Sequence, residues 1–200
     1  LLFVLLTHTA VLFGQDAIQF VENKGQWDER VRFRGEVTNG VFFIQDRGYT
    51  VLQQDPFSAF KLQEAKHHAI DSFTIRSHAW RVEFVNAAGK SMVSSKQELL
   101  PQKPLPTYSN YFLGNDSTRW AQDCKIYQAI TVKDVYPHID VQYYTDQGVL
   151  KYDFIVHPSG KPTDIKLRFE GAQNLNINST GNLIIATSTG NIVDSNIFIY

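Results

Sequence analysis

Apolar and polar residues alternate in short stretches through most of this chain, and turn-forming residues separate those stretches. In the first group, residues 31–35 alternate, Asn39-Gly40 marks a turn, and the apolar residues 41–44 follow. A second turn at 46–48 leads into residues 49–52. A period of two places alternate side chains on one face of a strand, and Asn-Gly is a strong signal for a tight hairpin. This group therefore predicts an antiparallel meander of three strands.

The same pattern returns at Trp80, Val82 and Phe84, which share one face of a predicted strand, and it continues from Tyr108 to the end. Residues 101–106, PQKPLP, contain three prolines, which cannot donate hydrogen bonds to a central ladder. We expect an extended connection or an edge there, or a break between two subdomains. Further strands are predicted at 108–113, 128–135, 139–145, 149–156, 164–170, 174–178, 182–187, 190–194 and 197–200.

Helical periodicity is weak throughout the chain. Residues 55–72 are the only plausible helical stretch, and they predict a loop with at most one helical turn. Many short strands separated by turns at intervals of about eight to twelve residues are typical of an all-β protein. We therefore predict an antiparallel β-sandwich or open barrel built from meander hairpins, with almost no helix, as a single domain over residues 15–200.

The segment HIDVQYYTDQGVLKYDFIV concentrates acids and tyrosines in one predicted hairpin. Its two apolar sets share a face only if the loop between the strands has an even number of residues, because side chains alternate along a strand. We expect a loop of four residues, Thr145–Gly148. This register pairs Val141 with Tyr152 and Ile139 with Phe154.

The opposite face of this hairpin carries the candidate functional residues. The register places Asp140 nearly across from Asp153, and a pair of carboxyl groups about 5–10 Å apart is the arrangement that glycosidases use. Tyr144, together with Tyr136 and Trp120, is a candidate aromatic platform for a sugar. The favoured interpretation is a hydrated sheet face, because an antiparallel sheet commonly exposes one side to water.

No motif in the chain specifies a reaction, a metal site or a cofactor. His67, His68 and His78 have no acidic partner at the spacing of metal ligands. Cys124 has no catalytic partner near it in sequence, and a buried free thiol is the better interpretation. We therefore predict a protein that is not an enzyme, with no catalytic residues, no metal and no cofactor. The sequence does not identify its ligand.

The charge balance excludes one class of partner. The chain has 19 basic and 20 acidic side chains, a net charge of -1, and its basic residues are scattered. Sequence-independent binding of nucleic acid requires several cations grouped on one face. We therefore expect no nucleic-acid partner.

The first residues are typical of an export signal. The run LLFVLLTHTAVLF is apolar apart from Thr7, His8 and Thr9, and it is shorter than the helix of about 20 residues that spans a bilayer. It matches the apolar region of a secretory signal peptide. We expect residues 1–14 to be a truncated signal peptide cleaved after Gly14, with no membrane span and a secreted or cell-surface location. The single cysteine excludes an internal disulfide, which favours a bacterial envelope.

Five sequence blocks, in this order and spacing, resemble the N-terminal domain of unknown function of large exported bacterial proteins. In those proteins the domain precedes SBBP (seven-bladed β-propeller) repeats or other β-rich modules, and many carry a C-terminal sorting domain for type IX secretion. The blocks are FVENKGQWDERVRF (20–33), SNYFLGND (109–116) followed by Trp120, VYPHIDVQYY (135–144), LKYDFIVHPSGKPTDIKLRFEGA (150–172) and GNLIIATSTGNIVD (181–194).

This resemblance implies a structural or adhesive domain of a secreted or cell-surface multidomain protein, without an assigned activity. The expected partners are downstream β-rich modules of the same chain, and surface glycans or proteins. The final NIFIY looks like an internal strand, so we expect a fragment whose other modules follow. The alternative is a carbohydrate-binding or glycan-processing accessory domain that uses Asp140, Tyr144 and Asp153.

Overall fold

A computed structural model describes residues 18–58, 74–92 and 96–194. Within these ranges the chain forms thirteen strands and two short 3-10 turns, η1 and η2. The strands are β1 Phe20–Glu22, β2 Val31–Val37, β3 Gly40–Gln45, β4 Gly48–Gln54, β5 Ser77–Phe84, β6 Leu99–Tyr111, β7 Ala121–Tyr136, β8 Ile139–Asp146, β9 Val149–Val156, β10 Leu167–Glu170, β11 Asn174–Ile177, β12 Leu183–Thr187 and β13 Gly190–Asp194. The 3-10 turns are η1 Ser117–Arg119 and η2 Pro162–Asp164.

The strands form a curled antiparallel sheet, a half-barrel, with a small second sheet beside it. The large sheet has ten strands in the order β10-β5-β4-β3-β2-β1-β7-β8-β9, and β6 pairs with β7. The small sheet has the order β11-β12-β13. The prediction of an all-β antiparallel fold with almost no helix is confirmed. The expected signal peptide at 1–14, most of the loop at 55–72 and the strand at 197–200 lie outside the described residues.

The predicted meander is confirmed as β2, β3 and β4, with a modified first turn. Val37 pairs with Gly40, so Thr38 and Asn39 form the loop and Gly40 already belongs to β3. Asn39 adopts a φ of 55°, a left-handed conformation that Asn tolerates. A Cβ at Gly40 would lie 2.4 Å from the carbonyl oxygen of Leu52, so close approach of β4 requires glycine there.

The strand β7 is the junction of the large sheet, because it pairs with three other strands. At Ala129–Val132 it pairs with both β6 and β8, so these two strands lie on its opposite edges. At Tyr127 it pairs with β6 and β1. The sheet therefore divides beside β7, with β1 and β8 following one another along one edge. The proline-rich residues 101–106 lie within β6, which has β7 as its only partner among the described strands.

The hairpin of β8 and β9 has a shorter loop than expected. Asp146 pairs with Val149, so the loop has two residues, and both Gln147 and Gly148 have positive φ values of 50° and 77°. Two successive left-handed residues are the requirement of a type I′ hairpin turn. The expected even loop is confirmed, whereas the loop of four residues was wrong.

This shorter loop shifts the pairing by two residues. Val141 faces Phe154 and Ile139 faces Val156, in place of the expected partners Tyr152 and Phe154. The shift preserves parity, so the apolar side chains of both strands still share the face that meets the core.

The core lies on the inner face of the curled sheet and is rich in aromatic rings. Tyr143 of β8 packs against Phe42 of β3, with ring centroids 5.4 Å apart, and against Tyr49 of β4 at 6.0 Å. Trp80 stacks on Phe169 at 6.2 Å. The β8 and β9 layer therefore covers the meander from above, which explains why alternate residues of the meander strands are buried. A second, smaller apolar cluster, formed by Val21, Ala121, Cys124 and Ile126, lies apart from this core.

Candidate functional site

Asp140 is the first of the predicted site residues, and it is 2% exposed. It follows a bulge in β7 between Val132 and Tyr136, where Asp134 adopts a φ of 49°. The Asp140 carboxylate accepts hydrogen bonds from the Asp134 amide at 2.9 Å, from His157 Nε2 at 2.7 Å and from Lys133 Nζ. The carboxylate therefore joins the bulge to the segment that follows β9.

The electrostatics of this Asp140 cluster favour the ionised carboxylate. Burial raises the pKa of Asp140, but the hydrogen bonds from Lys133, the Asp134 amide and His157 together hold it below its usual value. The same hydrogen bond raises the pKa of Lys133. The expectation that Asp140 lies on a hydrated face is wrong, because the bulge brings Lys133 and the Asp134 amide over it. A carboxylate with these partners is a structural acceptor.

Asp153 occupies a different environment from Asp140. Asp153 pairs across the ladder with Gln142, and Asp140 pairs with Ile155, so the two acids are not opposite one another. The Tyr144 hydroxyl donates to Asp153 Oδ2 at 3.0 Å, and both of these residues are half-buried. The shorter hairpin loop is the reason for the changed pairing. Tyr144 and Asp153 thus meet as predicted, but without Asp140.

The candidate aromatic platform of Tyr136, Tyr144 and Trp120 does not assemble. Tyr136 is 1% exposed in the main core, and its hydroxyl binds the backbone of Lys166. Trp120 lies beside η1, with its ring 5.6 Å from Phe112 in an edge-to-face contact. The platform prediction treated Tyr136 as a surface ring, whereas the bulge before it turns its side chain into the core.

The histidines and the cysteine have structural partners where they are described. His78 places Nδ1 2.9 Å from the Ser188 hydroxyl and Nε2 2.7 Å from the Gly171 carbonyl, and so connects β5 to the small sheet. His67 and His68 lie outside the described residues. Within the described ranges, no group of His, Cys, Asp and Glu side chains is arranged to hold a metal ion.

Cys124 is buried, as the sequence suggested, and desolvation raises the pKa of its thiol. Gln26 Nε2 lies 3.4 Å from its sulfur and also donates to the Glu22 carbonyl at 2.9 Å, while Gln26 Oε1 accepts from the Lys24 amide at 2.7 Å. A buried thiol with a raised pKa is a poor nucleophile. Gln26 instead holds the NKGQW loop against the second apolar cluster.

A cleft of about 390 Å³, the apolar cleft, lies between the inner face of the large sheet and the small sheet. Its walls include Ile185 and Ile192 of the small sheet and Trp80 of β5. The Tyr152 hydroxyl donates to Asp194 Oδ2 at 2.7 Å beside it, and burial together with Asp194 raises the pKa of Tyr152. No local sequence pattern indicates this cleft, because its two walls come from strands far apart in the chain.

A second concave surface lies on the outer face of the meander and encloses about 500 Å³. We call it the arginine groove. Phe43 of β3 and Thr50 of β4 line it together with Arg30, Arg81 and Arg119. Each of these strand residues neighbours a buried residue in sequence, so the alternation that buries the core also exposes this row. The predicted register of the meander therefore indicates which strand residues line the groove. It does not indicate Arg30 and Arg119, because these two residues come from loops.

Exposed apolar residues form a further surface feature after β6. Phe112, the adjacent Leu113 and Trp120 are between 43% and 60% exposed, and the rings of Phe112 and Trp120 lie 5.6 Å apart. We call them the aromatic patch. Apolar side chains grouped on a surface commonly mark a contact with another protein or a ligand.

Comparison with known families identifies a match. Residues 20–200 match the family described as a domain of unknown function, DUF7948. The chain belongs to this family. No curated protein and no solved structure shows a significant match.

The DUF7948 match spans nearly the whole chain, from β1 onwards. It agrees with the resemblance to a domain of unknown function that the five sequence blocks predicted. Among the described residues of this DUF7948 domain, none of the helices is long and apolar enough to cross a membrane.

Proposed function

We propose that this DUF7948 domain is a non-enzymatic β-rich module of a secreted or cell-surface multidomain bacterial protein, with a structural or adhesive role. The observation that carries the proposal is the state of Asp140. It is the most suggestive acid of the sequence, yet its carboxylate is buried and bound by Lys133, the Asp134 amide and His157. An acid held this way stabilises the fold and has no access to a substrate.

The context of the module comes from the sequence. The apolar run at 1–14 supports export, and the five blocks support a place ahead of SBBP repeats in proteins that use type IX secretion. Downstream β-rich modules of the same protein are the proposed first partners. The aromatic patch supports an adhesive role, because exposed rings such as Trp120 contribute strongly to contacts once they are covered.

The geometry gives no support to a glycan-processing site at Asp140, Tyr144 and Asp153. Hydrolysis requires two carboxyl groups that both reach the substrate. Asp140 is closed off, and Asp153 is bound by the Tyr144 hydroxyl. Neither acid lines the apolar cleft or the arginine groove.

Two measurements test the proposal. The purified chain is incubated with a panel of polysaccharides, and we expect no new reducing ends. Turnover of any polysaccharide would contradict the non-enzymatic role, and its loss in Asp153→Asn would assign the reaction to Asp153.

The adhesive part is tested by displaying the chain on cells and counting attachment to surfaces coated with glycans or proteins. We expect Trp120→Ser to lower attachment. The matched control is Ile177→Ser, which replaces a 69% exposed apolar residue outside the aromatic patch. Equal attachment of both variants and the wild type would contradict a role for the patch.

A further inference from the structure

A straight row of residues crosses four neighbouring strands, and three of its members, Phe43, Thr50 and Arg81, line the arginine groove. Arg34 pairs with Phe43, Phe43 pairs with Thr50, and Thr50 pairs with Arg81. All four side chains point away from the core, because the residues next to them in sequence are buried. Facing side chains of paired strands lie about 4.5–5.5 Å apart, so the row places a ring and a hydroxyl between two guanidinium groups.

Trp27 forms a side wall of the groove and is held by neighbouring residues, one of which is Arg34 of the row. Trp27 packs edge-to-face on Tyr111 at 5.1 Å, and the guanidinium of Arg34 lies 5.6 Å from the Trp27 ring centroid. The buried Gln26 fixes the loop that carries Trp27. The wall is therefore built before any ligand arrives, which lowers the entropic cost of binding.

The groove keeps one arginine without a partner. Arg30, Arg81 and Arg119 line it together with one acid, Asp28. Arg30 is bound by Asp28 at 2.8 Å, and Arg81 by Glu170 at 2.5 Å. Among the described residues, the Arg119 guanidinium makes no hydrogen bond or ion pair.

The polar groups in the groove are suited to hydroxyl groups as well as to anions. The Thr50 hydroxyl donates to Gln45 Oε1 at 3.1 Å, which leaves the Gln45 amide nitrogen as a donor and the Thr50 oxygen as an acceptor. The volume of about 500 Å³ falls within the range of about 300–1,000 Å³ of small-ligand sites.

We propose that the arginine groove binds an acidic glycan, with Arg119 on a carboxylate group and the Phe43 ring against a sugar face. Guanidinium groups bind carboxylates through paired hydrogen bonds. A half-buried ring covers the apolar face of a sugar, and Thr50 with Gln45 binds its hydroxyl groups. This inference rests on the proposed surface role and gives it a ligand class.

The test is isothermal titration of the purified chain with tetragalacturonate, and with the neutral cellotetraose as a comparison. We expect binding of the acidic tetrasaccharide at low salt, weaker binding as the ionic strength rises, and at least tenfold weaker binding of the neutral one. Arg119→Gln should weaken binding roughly tenfold, the loss expected from one charge-assisted hydrogen bond. Phe43→Leu should weaken it severalfold, because it removes the ring but keeps an apolar side chain.

The matched control is Arg76→Gln, which removes an exposed arginine that does not line the groove. It should bind tetragalacturonate like the wild type. Equal binding by Arg119→Gln and the wild type would overturn the proposal, as would equal binding of the acidic and neutral sugars. A polyglutamate peptide that binds as tightly as tetragalacturonate would overturn the glycan in favour of an acidic peptide.

These failures differ from a failure of the proposed function. Loss of the groove proposal leaves attachment through the aromatic patch intact, so the Trp120→Ser experiment reports on that role separately. Turnover of any polysaccharide would contradict the non-enzymatic module without affecting whether the groove binds an acidic sugar.

Discussion

The Asp140 cluster and the arginine groove both concentrate charge on one domain, but the fold pairs the charged groups of the first, whereas Arg119 of the second has no ion-pair partner among the described residues. Asp140 is 2% exposed and accepts three hydrogen bonds from the protein. Arg119 is exposed in a groove of about 500 Å³ and makes no ion pair among the described residues. A charged residue in a suggestive pattern is therefore evidence for a site only when its partners are not supplied by the fold itself.

The difference between the two regions comes from the regularity of the strands that carry them. Asp140 lies beside a bulge, where the extra backbone amide of Asp134 requires an acceptor. The groove lies on β3, β4 and β5, whose ladders are regular and satisfy their own backbone groups. Such a ladder needs no acceptor from the side chains above it, and the unpaired Arg119 comes from η1, outside these strands.

The largest effect is expected for Asp140→Asn. The change leaves Lys133 and His157 without an ionised partner, and we expect a loss of about 1–3 kcal/mol in the free energy of unfolding. The loss is smaller than the roughly 3–5 kcal/mol of a fully buried pair, because the Lys133 and His157 side chains are 29% and 42% exposed. Urea unfolding measures it. An unchanged free energy of unfolding would mean that the Asp140 carboxylate does not stabilise the fold.

The same contrast is visible in the pH dependence of stability. The pKa of Asp140 is lowered in the folded state, so its contribution is present above the ordinary carboxyl pKa of about 3.9 and is lost as the pH falls through the folded value. Between about pH 6 and pH 3, the wild type should therefore lose more stability than Asp140→Asn. Other acids with a lowered pKa, such as Asp28 and Asp116, remain in both proteins and cancel. Parallel curves would contradict the assignment.

Substitution in the wall of the groove is expected to lower the free energy of unfolding, as it does in the Asp140 cluster, because the wall is held by the buried side chain of Gln26. Gln26→Ala removes the acceptor of the Lys24 amide and the donor to the Glu22 carbonyl. We expect a loss of about 1–2 kcal/mol in the free energy of unfolding. Gln45→Ala, a change of a half-buried residue that lines the groove, is the control and should cost less. Equal losses would show that the wall is not prearranged.

Asp153→Asn should have a smaller effect than Asp140→Asn. Asp153 accepts one hydrogen bond, from the Tyr144 hydroxyl, and an asparagine oxygen can accept the same bond. We expect a change of less than about 1 kcal/mol in the free energy of unfolding, measured by thermal or urea denaturation. A loss as large as that of Asp140→Asn would mean that the two acids of the hairpin are equivalent after all.

The smallest effect on stability is expected for Arg119→Gln. Its side chain makes no ion pair in the part of the chain that the structure describes, so the free energy of unfolding should change by no more than about 0.5 kcal/mol. Its effect on binding of tetragalacturonate should nevertheless be roughly tenfold. If Arg119→Gln lost both stability and binding, Arg119 would be a residue that stabilises the fold.

Much of the fold was predictable from local patterns. The alternation at Val31 and Phe33 and at Trp80 and Val82 predicted the buried faces of β2 and β5, and these residues are buried. The length of the hairpin loop was less accessible, because Gln147 carries no strong preference for the left-handed conformation that it adopts. One such residue changed the pairing of β8 with β9 by two positions.

The candidate site was less predictable than the fold. The bond between Tyr144 and Asp153 follows from the faces of the hairpin, and these two residues were predicted together. Asp140 was wrongly predicted to lie on a hydrated face. The bulge at Asp134 has no sequence pattern that distinguishes it from a regular strand, so the burial of Asp140 could not be predicted. The strand residues of the groove could be predicted in part from the meander register. The position of Arg119 could not, because it comes from the loop after β6.

The sequence by itself determined the all-β class, the faces of most strands and the parity of the β8–β9 hairpin. These properties depend on residues close together in the chain, where a period of two and the local turn residues act directly. Only the tertiary structure decided which charges are buried and which remain on the surface. That choice depends on contacts between separate segments, such as the contact of Asp140 with His157, 17 residues later in the chain, which no local pattern encodes.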